Sequence, residues 1–127
     1  MMKEGGTAAF EGRRLRRPGV VAVAFLADWC PFCRAFRPHF SRLGRNEGWS
    51  ALVADVSSEE NPLWDEFHLE VLPTVVVFRE GRAIFRVDGV PGVGLGRSDL
   101  RAIEVTARAA LAQPPTREAE TGRGQNR

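Results

Sequence analysis

Cys30 and Cys33 are the only thiols of the chain, two residues apart within "FLADWCPFCRAFRPHF". A pair so spaced can clamp a metal, staple the backbone or exchange electrons. Zinc needs about four ligands. His39 and His68 are the only further soft candidates, with no second cysteine pair and no closely spaced histidine pair to complete a set. The pattern therefore argues against a metal, and both histidines read as ordinary polar positions. An inert buried pair is also disfavoured, because of where the cysteines fall. An apolar run ends just before Cys30, and a helical pattern begins at or just after it. The sulfur of Cys30 then lies near unpaired N–H groups and the positive end of the helix dipole, which stabilise a thiolate. Cys33 lies one turn further in, more shielded but close enough to bond to Cys30. One sulfur is placed to attack and the other to resolve. Arg34 adds a cation beside them, although a positive charge in the first helical turn opposes the dipole.

The elements that position this pair can be read from period and punctuation. Val20 to Leu26 is continuously apolar and rich in valine, as a strand covered on both faces is. Arg34 to Leu43 carries Phe36, Phe40 and Leu43 at helical spacing, and Pro38 inside it predicts a kink. Ala51 to Val56 predicts a second strand. Asn61-Pro62 opens a short helix with Leu63, Trp64 and Phe67 on one face. "TVVVF", Thr74 to Phe78, is a strand, "REGR" a turn, and Ala83 to Val87 its antiparallel return. Ser98 is the expected N-cap of a last helix, whose apolar stripe is Leu100, Ile103, Ala107, Ala110 and Leu111. A strand–helix–strand start implies a right-handed crossover and parallel pairing, and the hairpin adds antiparallel strands. The fold class is α/β, a central mixed β-sheet flanked by helices on both faces. Residues 1–19 are expected to be a polar, partly ordered segment in which Phe10 anchors a short helix. Residues 20–113 form the domain, and 114–127 a disordered tail.

Composition excludes several classes. The 127 residues suit one domain with a real core, at 43% hydrophobic and 27% charged. A net charge of +2 implies no polyanion partner; the basic run Arg13 to Arg17 reads as solvated charge, not a nucleic-acid or lipid contact. No apolar stretch approaches the roughly 20 residues that span a bilayer. The arginines ahead of Val20 to Ala27 resemble the start of a signal peptide, but Asp28 and Trp29 stand where a cleavage site wants small residues. The expected compartment is the cytoplasm, where a cysteine pair is usually catalytic or metal-binding. "GVGLG", Gly92 to Gly96, lacks the spacing of a dinucleotide loop and reads as a flexible loop near the site.

"WCPFC", Pro38 five residues beyond Cys33, and "LPT" at Leu72 to Thr74 opening a strand together resemble the thioredoxin family over roughly Phe10 to Gln113. The resemblance implies a thioredoxin-like fold and a cis peptide bond before Pro73, facing the cysteines. It implies that Leu72 pairs with an extended substrate, with Trp29, Pro31, Phe32, Leu72, Pro73 and Thr74 forming the substrate-binding surface. Gly81 matches the hairpin glycine of the family, and Gly89 or Gly92 a glycine lining the groove. The departures are specific. Pro31-Phe32 replaces the usual Gly-Pro, a dipeptide more like that of glutaredoxin. Ala24 stands where the family buries an aspartate that accepts the proton of the second cysteine. Leu26 replaces a tryptophan, whereas Trp29 matches one. Lys3 is the only lysine, so the usual partner of that aspartate is missing too.

The expected activity is a thiol-disulfide oxidoreductase that reduces protein disulfides through the Cys30/Cys33 pair, without cofactor or metal. Cys30 is the nucleophile, Cys33 the resolving thiol. The partners implied are protein disulfides or dithiols and an electron donor such as a thioredoxin reductase or glutathione, with neither nucleic acid nor membrane, for a monomer. The alternative is a non-catalytic peptide-binding or chaperone-like module on the same fold.

Overall fold

The computed structural model describes residues 4, 5 and 7–113. The expected tail, 114–127, lies outside the described residues. Strand β1 (Glu4–Gly5) comes first, then a 3-10 turn (Thr7–Ala9) and the small hairpin β2 (Phe10–Glu11) and β3 (Arg14–Leu15). There follow β4 (Val20–Leu26), α1 (Pro31–Phe40), β5 (Ser50–Asp55), α2 (Leu63–Glu66), β6 (Thr74–Arg79), β7 (Arg82–Asp88) and α3 (Arg97–Ala112). The sheet order is β1-β5-β4-β6-β7. β5 runs parallel to β4 and β6 antiparallel to it, so the sheet is mixed as the sequence implies.

β4 is central and buried at all seven positions, which explains why it reads as an unbroken apolar run. Its residues alternate in size. Val21, Val23 and Phe25 share one face with Val76 and Phe78 of β6, by their pairing. There Phe25 and Phe78 meet Phe10 and Phe67 in one aromatic cluster, with ring centroids 4.9–6.2 Å apart. The hairpin β2–β3 and α2 therefore cover that face. The small Ala22 and Ala24 alternate onto the other face, where α1 and α3 pack. The tip of the β6–β7 hairpin is Glu80-Gly81, both at positive φ as a tight two-residue turn requires.

Four expectations are corrected in detail. Phe10 opens a strand and is buried instead of anchoring a helix. The core also takes in Leu15, whose N–H donates to Gly81 O at 3.0 Å, so the segment before residue 20 contributes to the fold. Ser98 is not the N-cap of α3: Gly96 is, and its N–H donates to Asp99 Oδ2 at 2.8 Å. Leu111 is exposed, whereas Ile103, Ala107 and Ala110 are buried and Leu100 packs partly buried against the core.

Candidate active site

The chain leaves β4 at Leu26, turns through Ala27 to Trp29 and enters α1 at Pro31. Cys30 is the N-cap, with extended backbone, and its sulfur accepts the N–H of Cys33 at 3.3 Å. Pro31 takes the first helical position, where its missing N–H costs nothing. Both cysteines are unpaired, and Cys30 is the more accessible, at 7% against 2% exposed. Burial, reinforced by the hydrogen bond with Cys30, pushes the Cys33 thiol up to about 12. The Arg34 side chain donates to Asp28 O at 2.9 Å, tying the first turn of α1 to the loop before it.

The second wall of the site is the segment before β6. The Leu72–Pro73 peptide is cis, and Leu72 O lies 3.9 Å from Cys30 Sγ. Thr74 is fully buried; its Oγ1 lies 2.8 Å from Val71 O and 3.2 Å from Asp88 Oδ1, a hydroxyl that braces the loop from behind. Gly89 closes this wall: a Cβ there would stand 3.0 Å from Pro73 O, and its N–H donates to that oxygen at 2.9 Å. A Cβ on Gly92 would meet nothing within 4 Å, so of the two glycines Gly89 is the one packed on this wall. Trp29 and Phe32 stand exposed on either side of Cys30 in sequence, at 50% and 38%. Among the described residues no group of three or more His, Cys, Asp and Glu could hold a metal ion. His39 lies on α1, and His68 beyond α2 at positive φ.

A profile of the thioredoxin family matches residues 5–95. The chain belongs to the thioredoxin family. It is 30% identical over 86 residues to thioredoxin 1 of Synechococcus elongatus, covering 67% of this chain and 78% of that protein. It is 31% identical over 84 residues to thioredoxin H4 of Arabidopsis thaliana, covering 65% of this chain and 66% of that one. A thioredoxin variant from Halobacterium salinarum superposes with a TM-score of 0.61 at 27% identity, over 77% of this chain and 80% of that one. Membership supports a thiol-disulfide oxidoreductase and favours that over a non-catalytic peptide-binding module.

Sequence reasoning missed what steadies Trp29 in this thioredoxin-family site. Its Nε1 donates to Ser57 O at 2.8 Å, and the N–H of Asp28 donates to Ser57 Oγ at 2.8 Å. Ser57 is fixed in turn by Asp55 Oδ1, which accepts its N–H at 2.9 Å and its hydroxyl at 2.5 Å. Trp64 packs parallel to Trp29 and donates to Val56 O and Ser58 O. The available signal was Asp-x-Ser at a strand end, a local turn motif; nothing in it says which indole the loop will hold.

Proposed function

We propose that this chain reduces protein disulfides, with Cys30 attacking and Cys33 resolving. The observation that carries the assignment is the position of the two sulfurs at the start of α1. Cys30 Sγ receives an N–H at the positive end of the helix, while Cys33 is deeper and held as a thiol. The Cys30 thiolate attacks one sulfur of the substrate disulfide. The S–S bond breaks, one substrate sulfur leaves as a thiolate, and a mixed disulfide joins the other to Cys30. Cys33 then loses its proton and attacks Cys30 Sγ. The mixed disulfide breaks, the second substrate thiol departs, and the Cys30–Cys33 disulfide holds the two-electron oxidation. Leu72, Pro73, Trp29, Pro31 and Phe32 present the surface over which an extended substrate lies. Thr74, buried behind Leu72-Pro73, supports that surface from within. A donor such as a thioredoxin reductase or glutathione returns the electrons, and a reducing compartment, the cytoplasm, suits the direction.

The test is trapping. Pre-reduced Cys33→Ser, mixed with a disulfide-bonded protein such as insulin, accumulates the mixed disulfide on Cys30, read by intact-mass spectrometry. Cys30→Ser traps nothing. Equal trapping by both variants, or trapping on Cys33 alone, overturns the roles.

A further inference from the structure

The chain leaves α2 through a conformation that needs outside support, and a side chain from the edge strand β7 supplies it. His68, just past the helix, adopts φ +50, a left-handed geometry that residues other than glycine rarely take. Such a turn persists only where its surroundings fix it. The carbonyls at the end of a helix also lack partners within it. Arg86 answers both needs. Its Nη1 donates to Phe67 O at 2.5 Å and its Nη2 to His68 O at 3.2 Å. Its Nε donates to Asp88 Oδ1 at 2.8 Å, two residues along β7 and therefore on the same face. With all three nitrogens engaged, the planar guanidinium has one orientation, and hydrogen bonds from a charged donor are the stronger kind.

What Arg86 holds leads to Cys30. Beyond His68 the chain runs through the buried Leu69 and Leu72 to the Leu72–Pro73 peptide, and Leu72 O lies 3.9 Å from Cys30 Sγ. The far end of this loop is tied to the same stretch of β7. Asp88 Oδ1 lies 3.2 Å from Thr74 Oγ1, and the N–H of Gly89, the next residue, donates to Pro73 O at 2.9 Å. The loop from His68 to Thr74 is thus gripped at both ends, with Leu72 between the grips. Removing the guanidinium releases the first grip and strips Asp88, in the second, of its cation.

We propose that Arg86 is a positioning residue for the exchange: it holds the His68–Thr74 loop so that the Leu72 backbone meets an extended substrate in line with Cys30 Sγ. This inference rests on the disulfide-reductase reading above. A substrate with a peptide backbone needs Leu72 in place, and a small disulfide without one does not.

The experiment uses the full chain, pre-reduced, and two reactants. One is a symmetric disulfide-linked peptide with several residues on each side of its cysteine, the other bis(2-hydroxyethyl) disulfide. Second-order rate constants come from acid-quenched samples analysed by mass spectrometry, and the readout is their ratio. In Arg86→Gln the peptide-to-small-disulfide ratio is expected to fall about tenfold, short of the roughly hundredfold that a misplacement of about 1 Å can cost. Arg86→Lys, which keeps the charge without the planar fork, recovers part of the loss. Arg82→Gln removes a positive charge from the same strand and leaves the ratio unchanged. Because the ratio is taken within each folded variant, a loss of stability, read separately from urea melts, does not move it. A ratio unchanged in Arg86→Gln, an equal fall in Arg82→Gln, or failure of both Arg86 variants to fold overturns the proposal alone. Inertness of the parent toward both reactants overturns the reductase reading, and this inference with it.

Discussion

The proton on Cys33 sets the pace of the second half of the proposed exchange. Burial is the largest reason that thiol is held at about 12, and burial persists once Cys30 is tied up in a mixed disulfide. Ala24, where the family buries an aspartate, is itself fully buried, paired with Val53 on one neighbouring strand and Val75 on the other. β4 thus offers Cys33 no proton acceptor at that position. Resolution then depends on a small thiolate fraction that grows about tenfold per pH unit while pH stays below the thiol pKa. The expected outcome is that a preformed mixed disulfide decays about tenfold faster for each unit between roughly pH 6 and pH 8. Quench-flow with mass spectrometry measures this, and a flat profile would mean that another group takes the proton. At this scale the sequence was most legible where chemistry is written in residue types: Cys30 and Cys33 could be picked out from their neighbours, and Pro73 only through the family resemblance. Ser57 could not, because its backbone carbonyl serves Trp29 and any residue carries a carbonyl.

Between α1 and β5 the chain passes through turns that Glu47 ties to α3. Arg108 Nε and Nη2 donate to the two carboxylate oxygens at 2.9 Å each, and Trp49 Nε1 adds a third bond at 3.0 Å. The Arg108 hydrogen bond, then the Trp49 one, hold the carboxyl at about 2 instead of its ordinary 4.5. On acidification the unfolded chain takes up this proton first, near 4.5, whereas the folded chain resists until about 2. The tie therefore contributes fully above about 4.5 and is lost as pH falls toward 2. Being exposed, it is also weakened by salt. Glu47→Gln is expected to lower the urea midpoint at neutral pH, with the gap from the parent closing toward about pH 2 and shrinking in about 1 M salt. An unchanging gap would assign the loss to packing. Val20–Leu26, an unbroken apolar run, and the hairpin of β6 and β7, marked by its turn, were legible almost residue by residue. The start of α3 was not: a glycine N-cap has no side chain to advertise it, and the carboxylate that completes the cap sits three residues inside the helix.

The molecule closes over its sheet with parts from both ends of the described chain. Phe10 lies within 5.3–6.1 Å, centroid to centroid, of Phe25, Phe67 and Phe78. Two-residue strands have no period, so nothing local marks this hairpin as core; its burial comes from strands far along the chain. Phe10→Ala is expected to destabilise the protein by about 3–5 kcal/mol, as other buried phenylalanine truncations do. Urea unfolding followed by circular dichroism tests this, and a loss below about 1 kcal/mol would place the β2–β3 hairpin outside the cooperative unit.

The tryptophans give the chain an optical property. Trp29, one residue before Cys30, and Trp64 lie with ring centroids 6.3 Å apart and planes within 4°. Trp49 is buried and bound to Glu47, on a turn remote in sequence from both. One indole thus lies next to Cys30 in sequence, a second stacks on it, and the third is a buried ring. A disulfide next to Trp29 quenches by accepting an electron from the excited ring, and the stacked Trp64 passes its excitation to the same sink. The blue edge of the emission, from Trp49, is expected to stay constant while the red edge follows the thiols, which spectra of the reduced and oxidised protein would check. Their quotient is a gauge of oxidation state that needs neither a dye nor a known concentration.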